Sequence, residues 1–163
     1  MIFLGIDPGT ATTGFALLQT NKQQIQLLEY GCIKTSPATK MSERLNEIHQ
    51  NLDEIIKKFK PQKAAVEEIF FSTNIKTAIQ VAQARGVILQ KLASHQIEIF
   101  QFNPLQIKNS VCGYGSAKKP EIQKMIQLIF KLENPPKPDD AADAIAIAYT
   151  LILQSRFSIP PSL

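Results

Sequence analysis

Three apolar runs, at residues 2–6, 14–18 and 25–33, follow one another across short links, and from Met41 the apolar residues change period. A parallel pair of strands needs a crossover of a dozen or more residues, so the three runs read as an antiparallel meander. Met41, Leu45, Ile48, Leu52, Ile55 and Phe59 then step by 4, 3, 4, 3, 4, the stripe of an amphipathic helix that Pro61 ends. Residues 64–70 form a strand reached through that helix and so parallel to its neighbour, residues 74–94 a second helix, and residues 97–100 a fifth strand. The last third is helical. Asn103-Pro104 is an N-cap with proline at the first helical position, opening a short helix toward Val111. After the loop Gly113-Tyr114-Gly115-Ser116, Pro120 falls in the first turn of a helix that runs to about Leu132. Pro135, Pro136 and Pro138 stiffen a link, and Asp139 or Asp140 caps a final helix to about Gln154.

The order is β-β-β-α-β-α-β-α-α-α in one domain, residues 1–154, with residues 155–163 expected to be a disordered tail. The class is α/β: a five-stranded mixed sheet, three strands antiparallel and two parallel, with helices on both faces. This is the arrangement of the ribonuclease-H-like fold.

Lys plus Arg is 18 and Asp plus Glu is 14, but the charge is unevenly spread. Residues 1–71 balance at eight of each, residues 72–132 hold eight bases against Glu98 and Glu121, and residues 133–163 come to −2. A basic stretch beside a separate acidic cluster suits a polyanionic partner better than a membrane. No run approaches the roughly 18 apolar residues of a membrane span, and the first residues lack a secretory layout, so a cytoplasmic location is expected. Cys32 and Cys112 lie 80 positions apart, suggesting neither a disulfide framework nor a zinc site. His49 and His95 stand alone and read as surface or packing residues.

Acids fall where burial makes them costly. Asp7 ends the first strand, Glu67-Glu68 interrupts an apolar fourth, and Asp140 and Asp143 share one face of a final helix that is apolar nearly all round. Capping accounts for Asp139 and Asp140 but not for Asp143, Asp7 or Glu67. Converging carboxylates without a base among them are tolerable when divalent cations neutralise them, and carboxylate oxygens suit Mg²⁺ or Mn²⁺. Two such ions about 3.5–4 Å apart can activate water and stabilise the leaving oxygen in phosphodiester hydrolysis.

Gly5-Ile6-Asp7-Pro8-Gly9-Thr10 with Thr13-Gly14, Val66-Glu67-Glu68-Ile69-Phe70, Gln83-Ala84-Arg85-Gly86-Val87 and Asp140-Ala141-Ala142-Asp143-Ala144 resemble the bacterial RuvC family of Holliday-junction resolvases. The resemblance covers about residues 1–150 in the family's motif order. It implies four catalytic, metal-binding acids at Asp7, Glu67, Asp140 and Asp143, with Asp7 bridging two Mg²⁺ ions and Mn²⁺ a possible substitute. Glu67 rather than Glu68 occupies the family's acidic position. The resemblance also implies a base-contacting aromatic at Phe70 and catalytic, DNA-binding lysines at Lys108 and Lys119. Arg85 and Lys118 are further DNA-binding candidates, Arg85 equally able to make a structural pair or a dimer contact. The implied partners are four-way junction DNA, a second copy in a homodimer, and the RuvA–RuvB branch-migration complex. Ala78, Ala82 and Gly86 offer a close-approach face for the homodimer or pack on the sheet. Ala16, Ala82 and Tyr114 depart mildly from the family pattern, and none removes a ligand.

Three other readings compete. The opening motif also resembles the first phosphate loop of actin-like and sugar-kinase ATPases, but 163 residues leave no room for their second lobe. An RNA-cutting enzyme on the same fold keeps the carboxylates and changes the substrate. A non-enzymatic junction-binding module has little need of four acids.

Overall fold

The computed structural model describes residues 1–21, 24–69 and 75–157, except for the side chains of residues 75–77 and 156–157. Five strands, β1 (Ile2–Asp7), β2 (Thr12–Thr20), β3 (Ile25–Lys34), β4 (Lys63–Glu67) and β5 (Glu98–Phe102), form one sheet in the order β3-β2-β1-β4-β5. The β1–β2 and β2–β3 pairs are antiparallel, and β1–β4 and β4–β5 are parallel. The helices are α1 (Met41–Phe59), α2 (Ile75–Ser94), α3 (Pro104–Cys112), α4 (Lys119–Ile129) and α5 (Asp139–Phe157). Element order and sheet type match the expectation. β4 stops at Glu67 rather than continuing to Phe70, and Phe70 itself lies outside the described residues. Helix α5 continues past 154 to Phe157, and the rest of the expected tail also lies outside them.

Side chains alternate across a strand, and β1 divides its residues between two cores. Phe3 joins Ala16, Leu18 and Ala65 beneath α3, α4 and α5, packing on Ile107, Val111, Ile122, Ile126 and Ile145. Leu4 and Ile6 join Leu17, Ala64 and Val66 on the opposite face, where Ile48, Leu52 and Ile56 of α1 and Ala84, Ile88 and Leu92 of α2 cover them. Both faces are therefore closed, as an apolar parallel pair requires.

Two details differ from the periodicity reading. The buried residues of α1 are Arg44, Ile48, Leu52 and Ile56, so its inner face is rotated from the Met41–Leu45–Ile48 stripe and includes a guanidinium. Lys91, counted among the basic excess, is 8% exposed and donates to Asp53 at 2.9 Å. Asp53 also pairs with Lys57 at 2.6 Å and His95 at 2.8 Å, joining α1 to α2. One cation of that stretch is thus spent inside the fold, not offered to a partner. On α2, Ala82 and Gly86 face outward with Ile79, and a Cβ on Gly86 would meet nothing within 4 Å. They do not pack on the sheet.

Gly5 and Gly14 sit where α5 crosses the sheet. A Cβ on Gly5 would strike the Ala144 carbonyl oxygen and the Ala148 nitrogen, and one on Gly14 would strike the Asp140 carbonyl. These are backbone atoms that have no rotamer to yield. Gly5→Ala is expected to lower stability by about 1–3 kcal/mol, which thermal melting reads as a fall of roughly 2–4 °C per kcal/mol for a chain this size.

Candidate active site

The pleat and the sheet register assemble the acidic residues. Phe3, Gly5 and Asp7 share a face by the two-residue period, so Asp7 points to the side on which α5 lies over Gly5. The parallel register pairs Gly5 with Ala65 and Ile6 with Val66, and one step further sets Glu67 beside Asp7. Ala65 belongs to the α5 core, so Glu67 faces α5 as well, whereas Glu68 is exposed. The pleat decides between the two adjacent glutamates. Asp140 and Asp143 come down onto this point from the first turns of α5.

Electrostatics show how close the four groups stand. Burial, followed by the charges of Glu67 and Asp143, a hydrogen bond with Glu67 and the charge of Asp140, raises the Asp7 pKa well above the ordinary carboxylate value. Glu67 is raised by burial; the Asp7 bond, Lys119 and Lys108 pull the other way. The hydrogen bond they share raises Asp7 and lowers Glu67, so of the two it favours the proton on Asp7. Burial also raises Asp143, against the opposing pull of Lys119, whose Nζ donates to Asp143 Oδ2 at 3.2 Å. Burial works against the Lys119 charge, but Asp143, Asp7 and Asp139 outweigh it and raise its pKa. Lys108, on α3, is half-buried and within the field of Glu67.

Lys118 is exposed, and its side chain is not drawn to the acids. Its backbone N–H donates to Glu121 Oε2 at 2.7 Å while Tyr114 Oη donates to Oε1 at 2.7 Å. This pair of bonds folds the glycine loop onto the first turn of α4, from which Lys119 projects. Arg85 is also not among the acids. Its Nε donates to the Glu67 carbonyl at 3.2 Å and its Nη2 to Gln101 Oε1, so it fastens the ends of β4 and β5. The structural role left open for Arg85 takes the form of hydrogen bonds to neutral acceptors rather than the expected ion pair.

Sequence reasoning missed the fastening of the loop after Asp7. Thr13 Oγ1 donates to the Gly9 carbonyl at 2.6 Å, and Thr35 Oγ1 donates to the Thr10 carbonyl at 2.5 Å. Arg44 Nε, from α1, donates to Thr35 Oγ1 at 2.8 Å. The signal in the sequence was the four-residue step from Arg44 to Ile48, Leu52 and Ile56, which places an arginine on the buried face. Cys32, on β3, also lies in the field of Asp140 and Asp7. Burial and those charges push its thiol up to about 11, so it stays protonated at neutral pH.

Among the described residues no three His, Cys, Asp or Glu side chains are drawn into a ready-made metal cage. The donor set nevertheless fits a hard divalent cation: every group is a carboxylate, and the raised Asp7 pKa reflects clustered negative charge that a cation would offset. Without metal, Asp7 binds its proton to higher pH in the folded chain than in the unfolded one. Stability therefore falls as pH rises from 3.8 through the raised value. Asp7→Asn is expected to remove that slope and to stabilise the metal-free protein at neutral pH by on the order of 1–3 kcal/mol. Melting curves across pH in a chelator check both. A wild type that is flat with pH contradicts the buried proton.

The chain matches the family described as Crossover junction endodeoxyribonuclease RuvC over residues 3–151. A protein of that name from Alkaliphilus metalliredigens is 46% identical over 148 residues, covering 91% of this chain and 90% of the relative. Another from Finegoldia magna is 45% identical over 157 residues, 96% of each. The solved structure of Thermus thermophilus RuvC in complex with Holliday junction substrate superposes with a TM-score of 0.90 at 33% identity, covering 96% of this chain and 95% of that one.

Proposed function

This chain belongs to the crossover junction endodeoxyribonuclease RuvC family, and from that membership we propose that it resolves four-way DNA junctions by metal-dependent phosphodiester hydrolysis in recombination and repair. The observation that carries the reading is that Asp7, Glu67, Asp140 and Asp143, from β1, β4 and α5, lie within one another's field at one half-buried edge of the sheet. A structural role does not call for four acids there. In the absence of cations their negative charges raise the pKa of Asp7 and work against one another.

Asp7, Glu67, Asp140 and Asp143 would hold the cation, Mg²⁺ by family and Mn²⁺ by the same oxygen preference. Bound there, two divalent ions neutralise the acids, make water acidic enough to attack, and stabilise the leaving oxygen. The chain's own residues do the rest. Lys119, held beside Asp143 at 3.2 Å, would balance negative charge developing on the phosphate, with Lys108 supporting from the Glu67 side. Phe70, the base-contacting candidate, follows shortly after this edge of β4 in sequence.

Resolution needs two nicks in strands of like polarity, and one chain supplies one acidic cluster. A two-fold homodimer answers the two-fold junction. The outward face of α2, with Ile79, Ala82 and Gly86 exposed, supports close approach of a second copy. Among the described residues no helix is long and apolar enough to cross a membrane. We assign the protein to the cytoplasm, with the RuvA–RuvB motor as its companion on the junction.

The test sets a mobile four-way junction beside a linear duplex and an RNA–DNA hybrid, with and without Mg²⁺. Wild type should nick the junction in pairs and leave the other two intact. Chelation or Asp7→Asn should reduce cleavage by at least ~10³-fold, the scale lost when electrostatic stabilisation is removed from a phosphoryl site, while junction binding survives. Cutting of the hybrid instead overturns the substrate. Binding without cleavage under any divalent ion overturns the enzyme.

A further inference from the structure

Beside the acidic cluster lies an open groove of about 630 Å³ lined by Lys34, Gln123, Lys137, Pro138, Asp139 and Asp140. It shares Asp140 with the cluster, and Lys108 is not among its lining residues. Lys34 ends β3, two strands across the sheet from Asp7 in the order β3-β2-β1-β4. Along this edge the charged groups run Lys108, Glu67, Asp7, Asp140, Lys34. Neither Lys34 nor Lys137 forms an ion pair with any described residue, and both are exposed. The other lysines of the site are engaged differently, since Lys119 is bonded to Asp143.

The two acids of the groove do not cancel these cations. Asp139 accepts a hydrogen bond from Gln123 Nε2 at 2.7 Å, which turns its carboxylate toward α4. Asp140 belongs to the set that would hold a divalent cation, and a bound cation takes its charge out of the balance. With Asp140 neutralised, two ammonium groups face the one remaining carboxylate, Asp139, which leaves the wall of this open, unenclosed channel net positive. Its lining has no aromatic ring for a base, so what it can grip is a backbone.

We propose that Lys34 and Lys137 hold phosphates of the cleaved strand on the far side of the cut from Lys108, so that the strand is gripped on both sides of the acidic centre. This deepens the junction-cutting reading and rests on it. Through Gly14, Cys32 is the β3 residue opposite Asp7, and Lys34 lies two residues beyond it; strand spacings of about 4.8 Å and a rise of about 3.3 Å per residue put Lys34 roughly 12 Å from Asp7. The gripped phosphates therefore lie a few nucleotides from the scissile one.

The test measures junction binding against salt in the Asp7→Asn background, where no cleavage interferes, for Lys34→Gln, Lys137→Gln and the pair. Each lysine–phosphate pairing removed should reduce the slope of log affinity against log salt by about 0.9. Lys57→Gln, on α1 and paired with Asp53, controls for loss of any positive charge. Neutral methylphosphonate linkages, placed one at a time near the cut, then locate the gripped phosphate. At one linkage on one side, Lys34→Gln should cost nothing beyond what the neutral linkage already costs. Two results overturn the proposal: slopes unchanged from the parent, or a slope change as large in Lys57→Gln. Effects of linkage and substitution that add at every position also overturn it. If the parent does not bind the junction at all, the reading beneath falls and this proposal falls with it. Because that outcome is visible before any lysine is changed, the two failures are told apart.

Discussion

Helix α5 lies directly against the backbone of β1 and β2, and the site exists only because it can. Gly5 and Gly14 leave the space into which the Ala144 and Asp140 carbonyls fit, and Ala141, Ala144 and Ala148 keep the facing side of the helix small. Gly14 is also the antiparallel partner of Asp7. The residue missing its side chain is thus next to the one whose side chain matters, and the N-terminal turns of α5 descend at that point. A wider separation would leave Asp140 and Asp143 solvated at the rim, away from Asp7. Close packing of backbone is what brings these two aspartates into the cluster.

That packing sets up an electrostatic cost which the fold meets from its periphery. Burial and mutual repulsion favour the protonated form of Asp7, so the chain tends to push the acids apart unless their supports are stiff. The loop after Asp7 is held by Thr13, Thr35 and the buried guanidinium of Arg44. The end of β4 is held by Arg85 through the Glu67 carbonyl. The first turn of α4, which delivers Lys119, is held by Tyr114 and Glu121. The segments that carry Asp7, Glu67 and Lys119 are therefore each anchored by hydrogen bonds of their own. Rigid supports of this kind are what let a site hold like charges within reach of one another until a cation and a phosphate arrive.

Much of this was readable along the chain. Hydrophobic period marks α1, short apolar runs bounded by turn residues mark the strands, and caps and prolines mark the last three helices. The short links fix the antiparallel meander and the helical crossovers fix the parallel pair. Less legible were the rotation of α1 and the fates of individual basic residues. Arg44, Lys91 and Arg85 look alike in a sequence, yet each is consumed by an acceptor from a distant segment: Thr35, Asp53 and the Glu67 carbonyl. A charge sum cannot tell a cation spent inside the fold from one such as Lys34 or Lys137, which pairs with no acid among the described residues.

By itself the sequence determined the order and type of the elements, the acids that interrupt apolar runs, and the motif series that carries the family resemblance. These are local properties, set by side-chain period and by the cost of placing a carboxylate in an apolar segment. Tertiary structure alone decided which of Glu67 and Glu68 faces α5, how deeply Asp7 is buried, and which lysines keep their charge free. Those depend on register, pleat and contacts between residues far apart in the chain, where a shift of one position sends a side chain to the opposite face of the sheet.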